Sequence, residues 1–238
     1  MSDGCAESTE PGAETHLPDD MPAGGGPVTD ERESRSRFYD GRPYAAALDR
    51  LLGRLHQLVA DNVEPSHRLL DVGCGTGDLV WRLAPKAEEV VGIDLSPAMV
   101  KLAKDTLSQR SLSHVSFVLG DVTKALAELP DDHFDVATMT LVLHEMPEEA
   151  RGPVLREVTR LASRLLCVDF RAPMPWNVAG VRNRFLEVAA GREHYRAYRA
   201  FQRMGGLPGA AREAGLVYEL LRPVDARTME MGFIRRAP

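Results

Sequence analysis

The sequence predicts an α/β fold: a doubly wound, mostly parallel sheet of seven strands. Two observations carry this. Short apolar runs alternate with segments of helical period through the middle of the chain, the signature of a parallel sheet with helices on both faces. The first apolar run, Leu69-Leu70-Asp71-Val72, passes directly into a glycine turn, Gly73-Cys74-Gly75-Thr76-Gly77, and then into a helix. Such a turn aims free helix N–H groups at the crevice beyond the strand tips, where open α/β sheets bind their ligands.

The elements follow in order. From Pro43 onward, Leu48, Leu51, Leu52, Leu55, Leu58 and Val59 recur at three- and four-residue spacing, which predicts a helix before the first strand. Strands are expected near 68–72, 89–94, 115–119, 134–140 and 164–169. Helices are expected near 76–84, 97–109, 122–128 and 148–162. Ser96-Pro97 is a helix start, with Ser as N-cap and Pro at the first helical position. Val154, Leu155, Val158, Leu161 and Ala162 form one apolar stripe. An irregular loop, Arg171 to Trp176, leads to two helices at about 177–190 and 192–204, ended by Gly205-Gly206. A short helix, Leu207 to Ala214, closes at Gly215. Val217–Val224 and Arg227–Arg235 read as a final hairpin that brings the strand count to seven.

Residues 1–36 hold nine acidic residues against two arginines and almost no large apolar side chain, so they are expected to be a disordered acidic tail. Residues 37–238 are expected to form one domain, and a hydrophobic content of 44% supplies its core. No apolar run reaches 18 residues, and the N-terminus is unlike a secretory signal, so a cytoplasmic protein is expected. Cys5, Cys74 and Cys167 form no metal-spacing pair, and no metal site is expected. The net charge of −6 is uneven: residues 151–238 carry 16 arginines and no lysine against 8 acids. A solvated helical surface explains this, and so does a region that receives an anionic substrate or touches an acidic membrane surface. The acidic balance and the lack of a basic aromatic stripe argue against a nucleic-acid partner. Nothing in the pattern specifies an oligomeric state.

The ligand of the glycine turn is a dinucleotide or S-adenosylmethionine (SAM). In the dinucleotide fingerprint G-x-G-x-x-G/A the third small residue would fall at position 78, which is Asp. A carboxylate beside a pyrophosphate repels it, whereas SAM carries an ammonium and a sulfonium. Asp94, seventeen residues after Gly77 at the end of the second apolar run, suits a ribose diol.

With these residues in hand, the chain resembles the class I SAM-dependent methyltransferases over roughly residues 37–238, most strongly from 69 to 175. Leu69–Leu79, Val91–Met99, Phe117–Val122 and Phe134–Glu145 look like that family's first four motifs, in order. Within the family the likeness is to the small-molecule group containing the ubiquinone and menaquinone C-methyltransferases, although their full acceptor-side pattern is not present. The resemblance implies the strand order 3-2-1-4-5-7-6 with strand 7 antiparallel, a cap helix at 37–62 and a substrate lid at 176–206. It also implies SAM as methyl donor, S-adenosylhomocysteine as product and a small-molecule acceptor methylated by in-line displacement. Phospholipid headgroup N-methylation at a membrane surface, with peripheral membrane contact, is the runner-up. A dinucleotide-dependent oxidoreductase and a non-catalytic SAM-binding regulator are the other readings.

The candidate cofactor residues are Asp71, Gly73, Gly75, Gly77, Asp94, Leu95, Met99, Asp121 and Val122. Asp71 either holds the methionine end or caps the helix. Asp94 takes the ribose. Asp121 accepts from the adenine amino group, N-caps the next helix, or does both. Met99 packs on adenine or fills the core. Displacement at a sulfonium methyl has so good a leaving group that alignment in a dry pocket supplies most of the rate and no covalent intermediate is needed. His144 is the candidate catalytic residue, as a proton acceptor, or else a structural histidine bonded to a carbonyl. Tyr39, Arg171, His194, Tyr195 and Arg199 are substrate-pocket candidates, each equally explicable by packing or surface exposure.

Overall fold

The computed structural model of the protein describes residues 42–225 and 227–237, with side chains from residue 52 onward. The acidic tail and Tyr39 lie outside the described residues.

The chain begins with helix α1 (Arg42–Asp61) and enters β1 (Ser66–Val72). It continues through α2 (Asp78–Leu83), β2 (Ala87–Asp94), α3 (Pro97–Leu107), β3 (Val115–Leu119) and α4 (Val122–Ala125). Then come β4 (Phe134–Thr140), α5 (Glu148–Leu161) and β5 (Ala162–Phe170). Two helices, α6 (Val178–Ala189) and α7 (Arg192–Met204), precede α8 (Gly206–Glu213), β6 (Leu216–Val224) and β7 (Met229–Arg236).

The seven strands lie in the order β3-β2-β1-β4-β5-β7-β6, as expected. All neighbours among β1 to β5 are parallel, and β7 runs antiparallel to both β5 and β6. Leu69, Leu70, Val90, Val91, Ala137, Leu165 and Leu166 are wholly buried, which is why the central strands read as continuous apolar runs and not as alternating ones. On one side α1 contributes Leu55 and Val59 to the core, and α5 contributes Leu155, Val158 and Leu161.

Several boundaries differ from the sequence expectation by two or three residues, and two of them have an evident local reason. Helix α2 starts at Asp78 and not at Thr76, because Gly73, Gly75 and Gly77 all adopt left-handed backbone (φ +73°, +54° and +85°) and no helix can begin through them. Helix α4 is a single turn ending at Ala125, short of residue 128. Strand β5 begins at Ala162, two residues early, because the residue that ends α5 is itself extended (φ −129°, ψ 138°) and enters the strand without a loop.

Helices α6 and α7 are built in opposite ways. Helix α7 buries Ala197, Tyr198, Ala200 and Phe201. Helix α6 buries Asn183 and Glu187 and leaves Val178 (89% exposed) and Phe185 (71% exposed) facing outward. A helix that turns its polar side inward borders a polar compartment. Among the described residues no helix is long and apolar enough to cross a membrane.

Candidate functional site

The donor side is built where β1, β2 and β3 end. The N–H groups of Gly73 and Cys74 donate to Ile93 O at 2.8 and 3.1 Å, tying the glycine turn to the tip of β2. Asp94 bridges the same two tips: its Oδ2 accepts from Gly75 N at 2.8 Å and its Oδ1 from Ser96 N at 2.8 Å. Burial pushes the Asp94 carboxyl upward, and these backbone N–H groups pull it back in part. Gly120 N donates to Asp94 O at 2.9 Å, which sets the β3 loop beside the β2 loop. Asp121 N-caps α4, accepting from Thr123 N at 3.0 Å and Thr123 Oγ1 at 2.7 Å. Val122 and Met99 are buried beside it, and Leu95 is 57% exposed. Asp71 is buried and accepts from Thr138 Oγ1 on β4 at 2.7 Å. It does not cap α2, whose first turn receives no side-chain cap. Burial pushes the Asp71 carboxyl up to about 7.

One argument from the sequence is corrected. Asp78, read as a charge facing the ligand, is turned toward α1: its Oδ2 lies 2.7 Å from His56 Nδ1 and 3.1 Å from Arg82 Nε. Burial opposes its charge, but these two partners hold the carboxyl below its usual range. Asp78 therefore does not discriminate against a pyrophosphate.

The donor side fits SAM by its own features. A Cβ at Gly75 would meet nothing within 4 Å, so the turn borders open space there. Asp94 stands beside that open turn at the tip of β2, accepting from Gly75 N and Ser96 N, with the Leu95 N–H also against its carboxyl.

The acceptor side lies across the same strand tips. Leu141 takes a left-handed backbone (φ +59°) as the chain leaves β4. The loop that follows carries His144, only 3% exposed. Asp169, at the end of β5, fixes this loop: its Oδ2 accepts from Leu143 N at 3.0 Å and His144 N at 3.2 Å, and its Oδ1 lies 2.7 Å from His144 Nδ1. The other ring nitrogen, Nε2, lies 3.8 Å from Glu145 Oε1 and 3.9 Å from Glu187 Oε1 of α6. Glu187 Oε2 lies 2.7 Å from His194 Nε2 of α7. Burial draws the His144 pKa down, but Asp169, with Glu145 and Glu187, outweighs it and pushes it up to about 9. These carboxylates favour a proton on the ring, the position a proton drawn from an acceptor would take.

Of the substrate candidates, His194 joins this cluster, with its ring centroid 5.7 Å from that of His144. Tyr195 stacks on Tyr198, which packs against Phe170. Arg171 and Arg199 are exposed: Arg199 lies over the Tyr195 ring at 5.9 Å, and the Arg171 backbone is tied to Thr228 and Gln202. Sequence reading missed Asp169, Glu187 and Arg151. Asp169 had a signal: it is the one acid in the apolar run Leu165 to Phe170. Glu187 had none, since its role depends on α6 presenting its polar face inward.

Residues 69–164 match the family described as a methyltransferase domain. The likeness over these residues is to methyltransferases. The chain is 35% identical over 137 residues to the ubiquinone/menaquinone biosynthesis C-methyltransferase UbiE of Ectopseudomonas mendocina, covering 52% of each chain. It is 32% identical over 110 residues to the uncharacterized methyltransferase YcgJ of Bacillus subtilis, covering 45% of this chain and 42% of that one. It thus spans about half the length of the curated relatives it matches. The crystal structure of YcgJ shares the fold at a TM-score of 0.53, with 18% identity over 77% of this chain and 98% of that chain. A SAM-dependent methyltransferase from Aquifex aeolicus does so at 0.55, with 19% identity over 84% and 96% of the two chains. SAM is the cofactor of such a domain, and the residues present fit it.

Proposed function

We propose that this protein transfers a methyl group from SAM to a small-molecule acceptor whose nucleophile carries a proton. The carrying observation is that donor and acceptor sides are one contiguous unit. The loop that follows β4 packs on the glycine turn through Val142 and presents His144 beneath α6 and α7. SAM, when bound, supplies an electrophilic methyl with a neutral leaving group. Gly75 and Asp94 would receive its adenosine part, with Asp121, Val122, Leu95 and Met99 around the base and Asp71 toward the amino-acid end. The chain's own contribution is alignment and exclusion of water by the lid. His144, with Asp169 fixing its ring, marks where the acceptor's proton would be drawn off. Tyr195 supports the reading as a half-buried ring between the cluster and solvent.

The test is SAM turnover by the full chain against panels of phenols, acids and amines, read as S-adenosylhomocysteine. SAM binding without turnover on any panel or on cell extract would favour the regulator reading. A peripheral membrane contact has one supporting feature, the outward apolar side of α6 with Trp176 and the neighbouring arginines Arg182 and Arg184. Co-sedimentation with anionic vesicles, lost in Trp176→Ser/Phe185→Ser, would support it.

A further inference from the structure

We propose that His144, Glu145, Glu187 and His194 form a binding site for a divalent transition metal of the zinc class, with Asp169 as the group that orients His144. The four side chains come from three separate elements: the loop after β4, helix α6 and helix α7. Their candidate donor atoms converge. One ligand atom each from His144, Glu145 and His194 lies within 4.8 Å of the other two. His144 Nε2 stands 3.8 Å from Glu145 Oε1 and 3.9 Å from Glu187 Oε1. A tetrahedral ion held at about 2.0–2.1 Å by N and O donors separates its ligands by about 3.3 Å. The two His144 pairs need to close by about half an ångström; Glu187 faces His144 with Oε1 and His194, at 2.7 Å, with Oε2, so its carboxylate would turn to offer the ion one oxygen.

The chemistry of the set is selective. Two imidazoles and two carboxylates suit zinc, manganese or iron, while magnesium and calcium prefer oxygen alone. The Nδ1 of His144 is held at 2.7 Å by Asp169, whose other oxygen is anchored by two backbone N–H groups. A carboxylate behind a ligating histidine fixes the ring and raises its basicity. Three carboxylates converge on this compartment, and a divalent cation would offset two of their charges. His144 and Glu187 are nearly buried, whereas the Glu145 side chain is 41% exposed, which leaves a path for an ion to enter. Sequence spacing could not show the set, because His144 and His194 are fifty positions apart.

Two consequences follow. The ion would bind the β4 loop to both lid helices and hold the acceptor compartment shut. If the methyl-transfer reading above holds, it would also offer a coordination position to an acceptor oxygen and lower that group's pKa.

The experiment uses the full chain stripped with a chelator and the metal chlorides alone. Calorimetry with zinc is expected to give one site per chain at micromolar affinity or tighter, and magnesium at least a hundredfold weaker. His194→Ala and Glu187→Gln are each expected to weaken zinc by more than tenfold, and Asp169→Asn by about 10–100-fold, the range for a group behind a ligand. Cobalt(II) is expected to give the strong visible bands of a four-coordinate ion, lost in His194→Ala. Circular dichroism of each variant checks folding, and should one not fold, His194→Gln is read in its place. Absence of stoichiometric zinc binding overturns the proposal. So does zinc binding unchanged in both His194→Ala and Glu187→Gln, or magnesium binding as tight as zinc. SAM affinity is measured on the same stripped preparation. SAM binding without zinc binding sinks the metal site alone, and zinc binding without SAM binding sinks the methyltransferase reading alone.

Discussion

Gly73 and Val142 compete for one volume: a Cβ on Gly73 would lie 2.5 Å from Val142 Cγ2. The donor turn and the loop carrying His144 are therefore packed as a single piece, and Gly73 is required for both its backbone and its missing side chain. Gly73→Ala puts a methyl group into that contact and forces Ala to φ +73°. The expected loss is about 2–4 kcal/mol, combining overpacking with the left-handed penalty. Adding Val142→Ala is expected to recover the packing part and leave the backbone part. Denaturant unfolding of the two variants and the double variant checks this, and additive losses would show that the two residues do not share the space.

Asp94 holds Gly75 N and Ser96 N at once, so it shapes the donor turn as well as facing it. Asp94→Ala is expected to weaken SAM binding by more than tenfold in calorimetry while circular dichroism shows the fold retained. Unchanged affinity would remove the ribose assignment.

Deleting residues 1–36 is expected to leave SAM affinity unchanged, because the donor-side residues all fall between Asp71 and Val122, around the ends of β1, β2 and β3. Fluorescence titration of the shortened chain beside the full one tests it, and a large loss would make the tail part of the site.

The donor side was legible because its signals are local. A glycine turn after an apolar strand, an acid at the tip of the next, and Ser96-Pro97 are all set by neighbours within a few residues. The strand order was legible only through resemblance, since no periodicity says which strands pair. The acceptor side was mostly hidden. His144 stood out by residue type, but its environment comes from Asp169 on another strand and Glu187 and His194 on two later helices. Asp78 misled for the same reason: its charge is offset by His56, twenty-two positions earlier.

Asp71 makes stability depend on pH in an unusual direction. In the folded chain its carboxyl keeps its proton up to about 7, whereas an unfolded aspartate releases it near pH 4. Between these values the folded state binds more protons than the unfolded one, so stability falls as pH rises. The contribution is full below about pH 4 and gone by about pH 7, with an upper size of about 4 kcal/mol. Asp71→Asn keeps an acceptor for Thr138 Oγ1 and removes the titration. Urea unfolding between pH 4.5 and 7.5 is expected to show the variant gaining on the parent as pH rises. Parallel profiles would mean that Asp71 ionises normally inside the sheet.

Arg151 joins α7 to the loop after β4 from within the core. It is 1% exposed, and its guanidinium donates to Leu143 O at 3.0 Å and to Ala197 O at 2.6 Å, with Met204 Sδ at 3.2 Å. Burial lowers its pKa and nearby acids oppose that, Glu148 and Asp169 foremost. Its ring neighbour Phe201, 5.5 Å away, lies on α7 as well. Lysine has one donor head and cannot reach both carbonyls in this fork geometry. Arg151→Lys is expected to cost about 2–4 kcal/mol, through a carbonyl left without its donor in a buried site. The loss should be local: hydrogen exchange is expected to speed up across α7 and the loop after β4 while β1 and β2 stay protected. Equal acceleration throughout the sheet would show Arg151 to be a general core residue and not the tie between α7 and the loop.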